Sequence, residues 1–113
     1  APLADRPDLA EIAERVVTTL GEVAVRHPQA FGRLLEAAEL AASGLDEVVV
    51  TGDRRDLVDV VRRRWSPGAV LSWGERLDGP LWEGRADGLA YVCRHFTCGL
   101  PASTTAELEG QLR

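Results

Sequence analysis

The sequence predicts an α/β chain, with an N-terminal helical hairpin packed on a small three-stranded βαββα body in which two strands run parallel. Two observations predict it. Apolar residues recur at helical spacing through the first part of the chain, and after Gly44 the period changes to short β-branched runs. Two of those runs flank a single helical stretch, the pattern of a βαβ crossover, which makes the two strands parallel neighbours.

The elements follow in order. Pro7 suits the first turn of a helix because it lacks the N–H that would go unpaired there. Asp8 and Glu11 place negative charge at the positive end of the helix dipole. Leu9, Ile12, Ala13, Val16, Val17, Leu20, Val23 and Ala24 form one wide apolar face, and Pro28 stops the helix near His27. A second helix is predicted over 29–43, with Phe31, Leu34, Leu35, Ala38 and Ala41 as its buried stripe and Gly44 as the residue of positive φ at its end. The short link makes the two helices an antiparallel hairpin. Their apolar faces are too broad to cover one another, so they need the sheet, a partner or further protein.

Glu47-Val-Val-Val-Thr-Gly52 reads as a strand buried on both faces. Asp53 is expected to cap the next helix, whose inner face is Leu57, Val58, Val60 and Val61 and which ends near Arg64 or Trp65. Ser66-Pro67-Gly68 is a turn, and Ala69–Trp73 is a second strand. Residues 74–87 make a long loop, with Leu81 and Trp82 expected to pin it to the body. A third strand is predicted over 88–96, a turn at Gly99-Leu-Pro101, and a last helix opened by the capping pair Thr104 and Glu107 and running to about Leu112.

At 113 residues the chain is one domain with a helical appendage, and the seam near 43–46 divides 1–45 from 46–113. A net charge of −5 argues against nucleic acid or an anionic membrane as partner. No apolar run approaches the roughly 20 residues of a membrane span, and no secretory signal pattern is visible, so a cytoplasmic protein is expected. The sequence lacks methionine, as a processed protein or a piece of a longer one would. All 13 basic side chains are arginine, which we read as codon bias.

Reactive side chains gather in Gly88–Pro101, which holds Cys93, His95 and Cys98. On an uninterrupted strand a separation of five puts the cysteines on opposite faces, about 16 Å apart, whereas a disulfide needs Cα atoms within about 7 Å. The rarity of cytosolic disulfides favours two reduced thiols packed as small apolar groups. The alternative is a structural or redox-active disulfide, which requires the chain to turn between them. Cys93, His95 and Cys98 offer three soft ligands where a closed zinc site needs four, and His27 lies in another element, so no metal is expected. Thr51-Gly52-Asp53 has a single glycine and a repelling carboxylate, and reads as a helix cap rather than an anion site. Arg62, Arg63 and Arg64 point in different directions and are expected to pair with Asp56 and Asp59 on a solvated face. Trp65, Trp73 and Trp82 read as core and loop anchors more than as a sugar platform. No triad or carboxylate pair supports a catalytic assignment, and no cofactor is implied.

The run Ala90-Tyr-Val-Cys-Arg-His-Phe-Thr-Cys98, followed by Leu100-Pro101, a Thr-rich turn and Glu107-Leu108, resembles the tail of the large thioredoxin-domain proteins of the spermatogenesis-associated type and their bacterial relatives. The order of the rest agrees: a helix, His27-Pro28, a second helix, then Glu47–Gly52. His95 stands where the relatives commonly carry asparagine. The resemblance implies a small αβ tail on an α/α barrel similar to those of N-acylglucosamine 2-epimerases and six-hairpin glycosidases, behind a thioredoxin-like domain. The predicted hairpin would be the barrel's closing hairpin, and the partner would be the rest of the same parent chain, with a homodimer as the alternative when isolated. The expected function is an accessory domain whose Cys93 and Cys98 exchange electrons with the thioredoxin-like domain, not itself an enzyme. The alternatives are a subdomain of a carbohydrate-active enzyme, with Trp82, Arg85 and His95 as binding residues, and a plain interaction module.

Overall fold

A computed structural model describes residues 6–76, 78–95 and 97–113. It divides into two compact units, Ala1–Gly44 and Leu45–Arg113. The first contains α1 (Pro7–Arg26) and α2 (Gly32–Ser43), which pack on each other. Pro7 occupies the first turn of α1, and the backbone N–H of His27 closes its end on Val23 O. Gly44 ends α2 at φ 75°, where a side chain would be strained, and its N–H bonds Leu40 O. Among the described residues of this unit Ala24 is the one buried side chain; Leu9, Ile12, Val16, Leu20 and Val23 stay between 38% and 54% exposed. The stripe expected on α2 is half-buried at Phe31, Leu34, Leu35 and Ala38, while Ala41 is exposed. The second helix also starts later than expected, because residues 28–30 form a turn after Pro28.

The second unit is a mixed α/β layer of four strands rather than the three expected. They are β1 (Asp46–Val50), β2 (Ala69–Trp73), β3 (Ala90–Arg94) and β4 (Thr97–Cys98), in the order β2-β1-β3-β4. Helices α3 (Arg55–Arg63) and α4 (Thr105–Gln111) complete it. The strands β1 and β2 are parallel, as a βαβ crossover requires. β3 returns antiparallel to β1, and the predicted third strand breaks at His95, after which Thr97 and Cys98 fold back on it as β4.

Alternation sorts β1 onto two faces. Val48 and Val50 join Leu57, Val58, Val60 and Val61 of α3, Val92 of β3 and Leu108 of α4. Val49 faces the other way and meets Tyr91, Cys93, Leu81 and Trp82. This explains why every residue of β1 is buried. As expected, Thr104 caps α4: its Oγ1 accepts from Glu107 N at 3.2 Å, while the Glu107 carboxylate reaches back to Ser103 N at 2.8 Å. Asp53 does not cap α3; the helix begins after Arg54 without a side-chain cap. Arg54 instead ties the loops together, donating to Gly88 O and Ser103 O at 2.8 Å each. Nor do the three arginines pair with Asp59 and Asp56. Arg62 lies over the Trp73 ring at 5.2 Å, Arg63 bonds the Asp59 carbonyl and Asp56 pairs with Arg54.

On the helix-covered face, buried Asp46 accepts from Arg94 Nε and from Arg113 Nη2, each at 2.7 Å. Burial pushes the Asp46 carboxyl up, but the hydrogen bonds from Arg113 and Arg94 outweigh it and hold it below the usual carboxylate range. In the unfolded chain the group therefore binds a proton more readily, so its contribution is present above the ordinary value of about 3.9 and is lost as pH falls through the folded value. Asp46→Asn is expected to cost about 2 kcal/mol at neutral pH and to flatten the acid limb of stability in chemical denaturation. At the other end of β1, Gly52 has φ 70°, and an added Cβ would come within 2.9 Å of Gly88 N. Gly52→Ala is expected to cost about 2 kcal/mol or more, by left-handed strain and by displacing the Gly88 backbone, read as a lowered denaturation midpoint.

Candidate functional site

Cys93 and Cys98 form a disulfide, with S–S 2.01 Å and Cα atoms 3.9 Å apart. This corrects the expectation of two reduced thiols. The odd separation that would have set them apart on a straight strand places them opposite one another across a tight hairpin. The turn is at His95, whose φ of 50° is the one positive value among the described non-glycine residues, and not at Gly99-Leu-Pro101. Gly99 N instead donates to Val92 O at 3.0 Å and extends the hairpin pairing.

Cys93 is fully buried, while Cys98 is partly exposed. Above the pair lies Arg85. Its Nη2 is 3.0 Å from Cys98 Sγ and 3.5 Å from Cys93 Sγ. The long loop exists in a form that fixes this guanidinium. Leu81 and Trp82 are buried against Val49 and Tyr91, and Trp82 Nε1 donates to Ser72 Oγ at 3.1 Å. Arg85 Nε donates to Leu81 O at 3.0 Å, and Arg76 Nη2 donates to the Arg85 carbonyl. The guanidinium stacks on Tyr91, 4.6 Å from the ring centre, a cation–π contact. The Tyr91 hydroxyl accepts from Ala86 N at 3.0 Å, so the same ring also anchors the backbone beside Arg85. Thr51 clasps the far end: its hydroxyl donates to Ala86 O at 2.6 Å and accepts from Leu89 N at 3.1 Å.

Of the residues singled out from sequence, Cys93, Cys98 and Arg85 come together. Trp82 is inside, as a loop anchor, and presents no open ring. His95 is exposed in the turn and acts on Glu47, described next. Trp65 stands 90% exposed and Trp73 lies on the opposite sheet face from Trp82, so the tryptophans make no common platform. Among the described residues no group of three or more His, Cys, Asp or Glu side chains is placed to hold a metal ion.

Sequence reasoning missed Glu47 and Tyr91. Glu47 is only 3% exposed and pairs in register with Cys93. Its Oε2 has no hydrogen-bond partner among the described residues. Burial pushes its carboxyl above the ordinary range, and the charge of His95 works in the opposite direction. The available signal was a carboxylate at the head of a strand read as buried on both faces, where a charge is costly.

Comparison with protein-family models, curated proteins and solved structures finds no match to this chain. No helix among the described residues is long and apolar enough to cross a membrane. What fold and site define is a small mixed α/β unit with a cross-strand disulfide under an arginine. Closing this short loop stabilises the unit by about 2 kcal/mol in the chain-entropy picture. Reduction is expected to lower stability by that amount, measured by denaturation with and without a reductant, while leaving the sheet folded.

Proposed function

We propose that this chain is an accessory part of a larger thioredoxin-domain protein and that Cys93–Cys98 is its thiol–disulfide exchange site. The observation behind the redox reading is the Arg85 guanidinium 3.0 Å from the sulfur of the more accessible cysteine. A fixed positive charge there stabilises a thiolate, the form that attacks and leaves in exchange. The link to the parent family rests on the resemblance of Ala90–Cys98 and the residues after it. The exposed apolar residues of α1 agree with a hairpin that belongs to a larger helical barrel in a cytoplasmic protein.

The step is an exchange with a dithiol. A thiolate of the partner bonds to Cys98 Sγ, the Cys93–Cys98 bond breaks, and its electron pair passes to Cys93. The partner's second thiolate then attacks its own sulfur in the mixed disulfide, and Cys98 leaves as a thiolate beside Arg85. The partner becomes a disulfide, and the pair gains two electrons.

With Cys93 replaced by alanine, the Cys98 thiol is expected to ionise below the ordinary value of about 8.5. Arg85→Met in that background should raise it by about one pH unit or more, followed by thiolate absorbance. In the unaltered chain, equilibration with glutathione buffers and alkylation of the denatured protein should show the pair passing between bonded and free forms by intact mass. A Cys98 thiol that titrates the same with and without Arg85, or a pair that stays locked across the buffers, would sink the reading.

A further inference from the structure

We infer that Glu47 is the proton-exchange partner of Cys93, giving a proton to its sulfur when the disulfide opens and taking it back when the disulfide closes. This rests on the reading of Cys93–Cys98 as an exchange site and assigns that site a residue which sequence reasoning did not name.

The argument starts from the asymmetry of the pair. An incoming thiolate meets Cys98, so Cys93 is the leaving sulfur, and Cys93 is 0% exposed. A thiolate left there lacks water, and Arg85 Nη2 at 3.5 Å is farther from it than from Cys98. Burial raises the affinity of such a sulfur for a proton. The proton must come from a neighbour.

The buried polar side chains of the unit are Asp46, Glu47 and Thr51. Asp46 is committed to Arg94 and Arg113 on the opposite face of β1. Thr51 is committed to Ala86 and Leu89. Glu47 alone of the three keeps a buried oxygen without a partner, and it is the register partner of Cys93. Directly opposed residues of an antiparallel pair hold their Cβ atoms about 5 Å apart, within the reach of a glutamate.

The groups facing Glu47 leave it free to act. From β2 its register partner is Val70, which carries no charge. From β3 it meets Cys93, and along that strand the Tyr91 hydroxyl is occupied by Ala86 N. From the turn, His95 acts on it through its charge. From the long loop, Arg85 lies on the sulfurs. Burial favours the protonated carboxyl in the closed site, which is the form needed to protonate Cys93 on opening.

The balance follows. On reduction the S–S electron pair goes to Cys93 and the Glu47 proton follows it, leaving Glu47 as the carboxylate. On oxidation the Glu47 carboxylate removes the Cys93 proton, and the thiolate attacks Cys98 in the mixed disulfide, expelling the partner thiolate.

The test uses the reduced chain and glutathione disulfide as probe, with the lifetime of the glutathione adduct on Cys98 followed by quenched mass spectrometry across pH. In the wild type, ring closure should be fast and nearly flat around neutrality. In Glu47→Gln it should slow by about a hundredfold there and recover about tenfold per pH unit toward the thiol range. Superimposable pH profiles for the two would overturn the assignment of Glu47 and leave the exchange reading standing. A wild type that forms neither the adduct nor the Cys93–Cys98 bond would overturn both. Because a glutamine could alter the fold, the wild-type Glu47 carboxyl is also to be followed by carbon NMR. Its titration should shift between the oxidised and reduced proteins, and an identical titration in both would count against the inference.

Discussion

The register of β3 against β1 is the constraint on which the second unit depends. Once Asp46 pairs with Arg94, Glu47 must pair with Cys93 and Val49 with Tyr91, because side chains alternate along a strand. A slip of β3 by one residue would send Arg94 into the face of the loop, away from Asp46, and Cys93 into the helix-covered core. The buried Asp46, held by two arginines, resists that slip from one side. The apolar cluster of Val49, Leu81, Trp82 and Tyr91 resists it from the other.

The same register makes the site. β3 carries Tyr91 and Cys93 on one face, and the hairpin at His95 returns Cys98 to that face. The loop between β2 and β3 has little regular structure, yet its position is determined at several points. Two buried apolar residues hold its middle, Thr51 and Arg54 hold its end, and Tyr91 fixes the backbone next to Arg85. Such a loop can hold a guanidinium over two sulfurs without a helix or strand to carry it, because its ordering entropy is offset by burial of Leu81 and Trp82.

The α1–α2 unit follows a different logic. Its helices form for local reasons: Pro7 at the start, Pro28 and Gly44 as stops, and a regular apolar period between them. Its apolar side chains on α1 remain largely uncovered.

Helices and strands were legible in the sequence because their signals are local. The Thr104 and Glu107 cap, the Gly44 stop, the βαβ unit and the pinning role of Leu81 and Trp82 all rest on spacings within a few residues. The site was legible only in part. Cys93, Cys98 and Arg85 could be picked out by chemistry, but the disulfide could not, since Arg94-His95-Phe96-Thr97 lacks the Asn-Gly or Asp-Gly signature of a two-residue hairpin. The sequence by itself determined the element types, the βαβ parallel pair and the side chains able to react. Tertiary structure alone decided the direction of β3, the fold-back of β4, the closeness of Arg85 to the sulfurs and the placing of Glu47 opposite Cys93. Those are pairings between residues far apart along the chain, and no local preference specifies which strand edge a segment will choose.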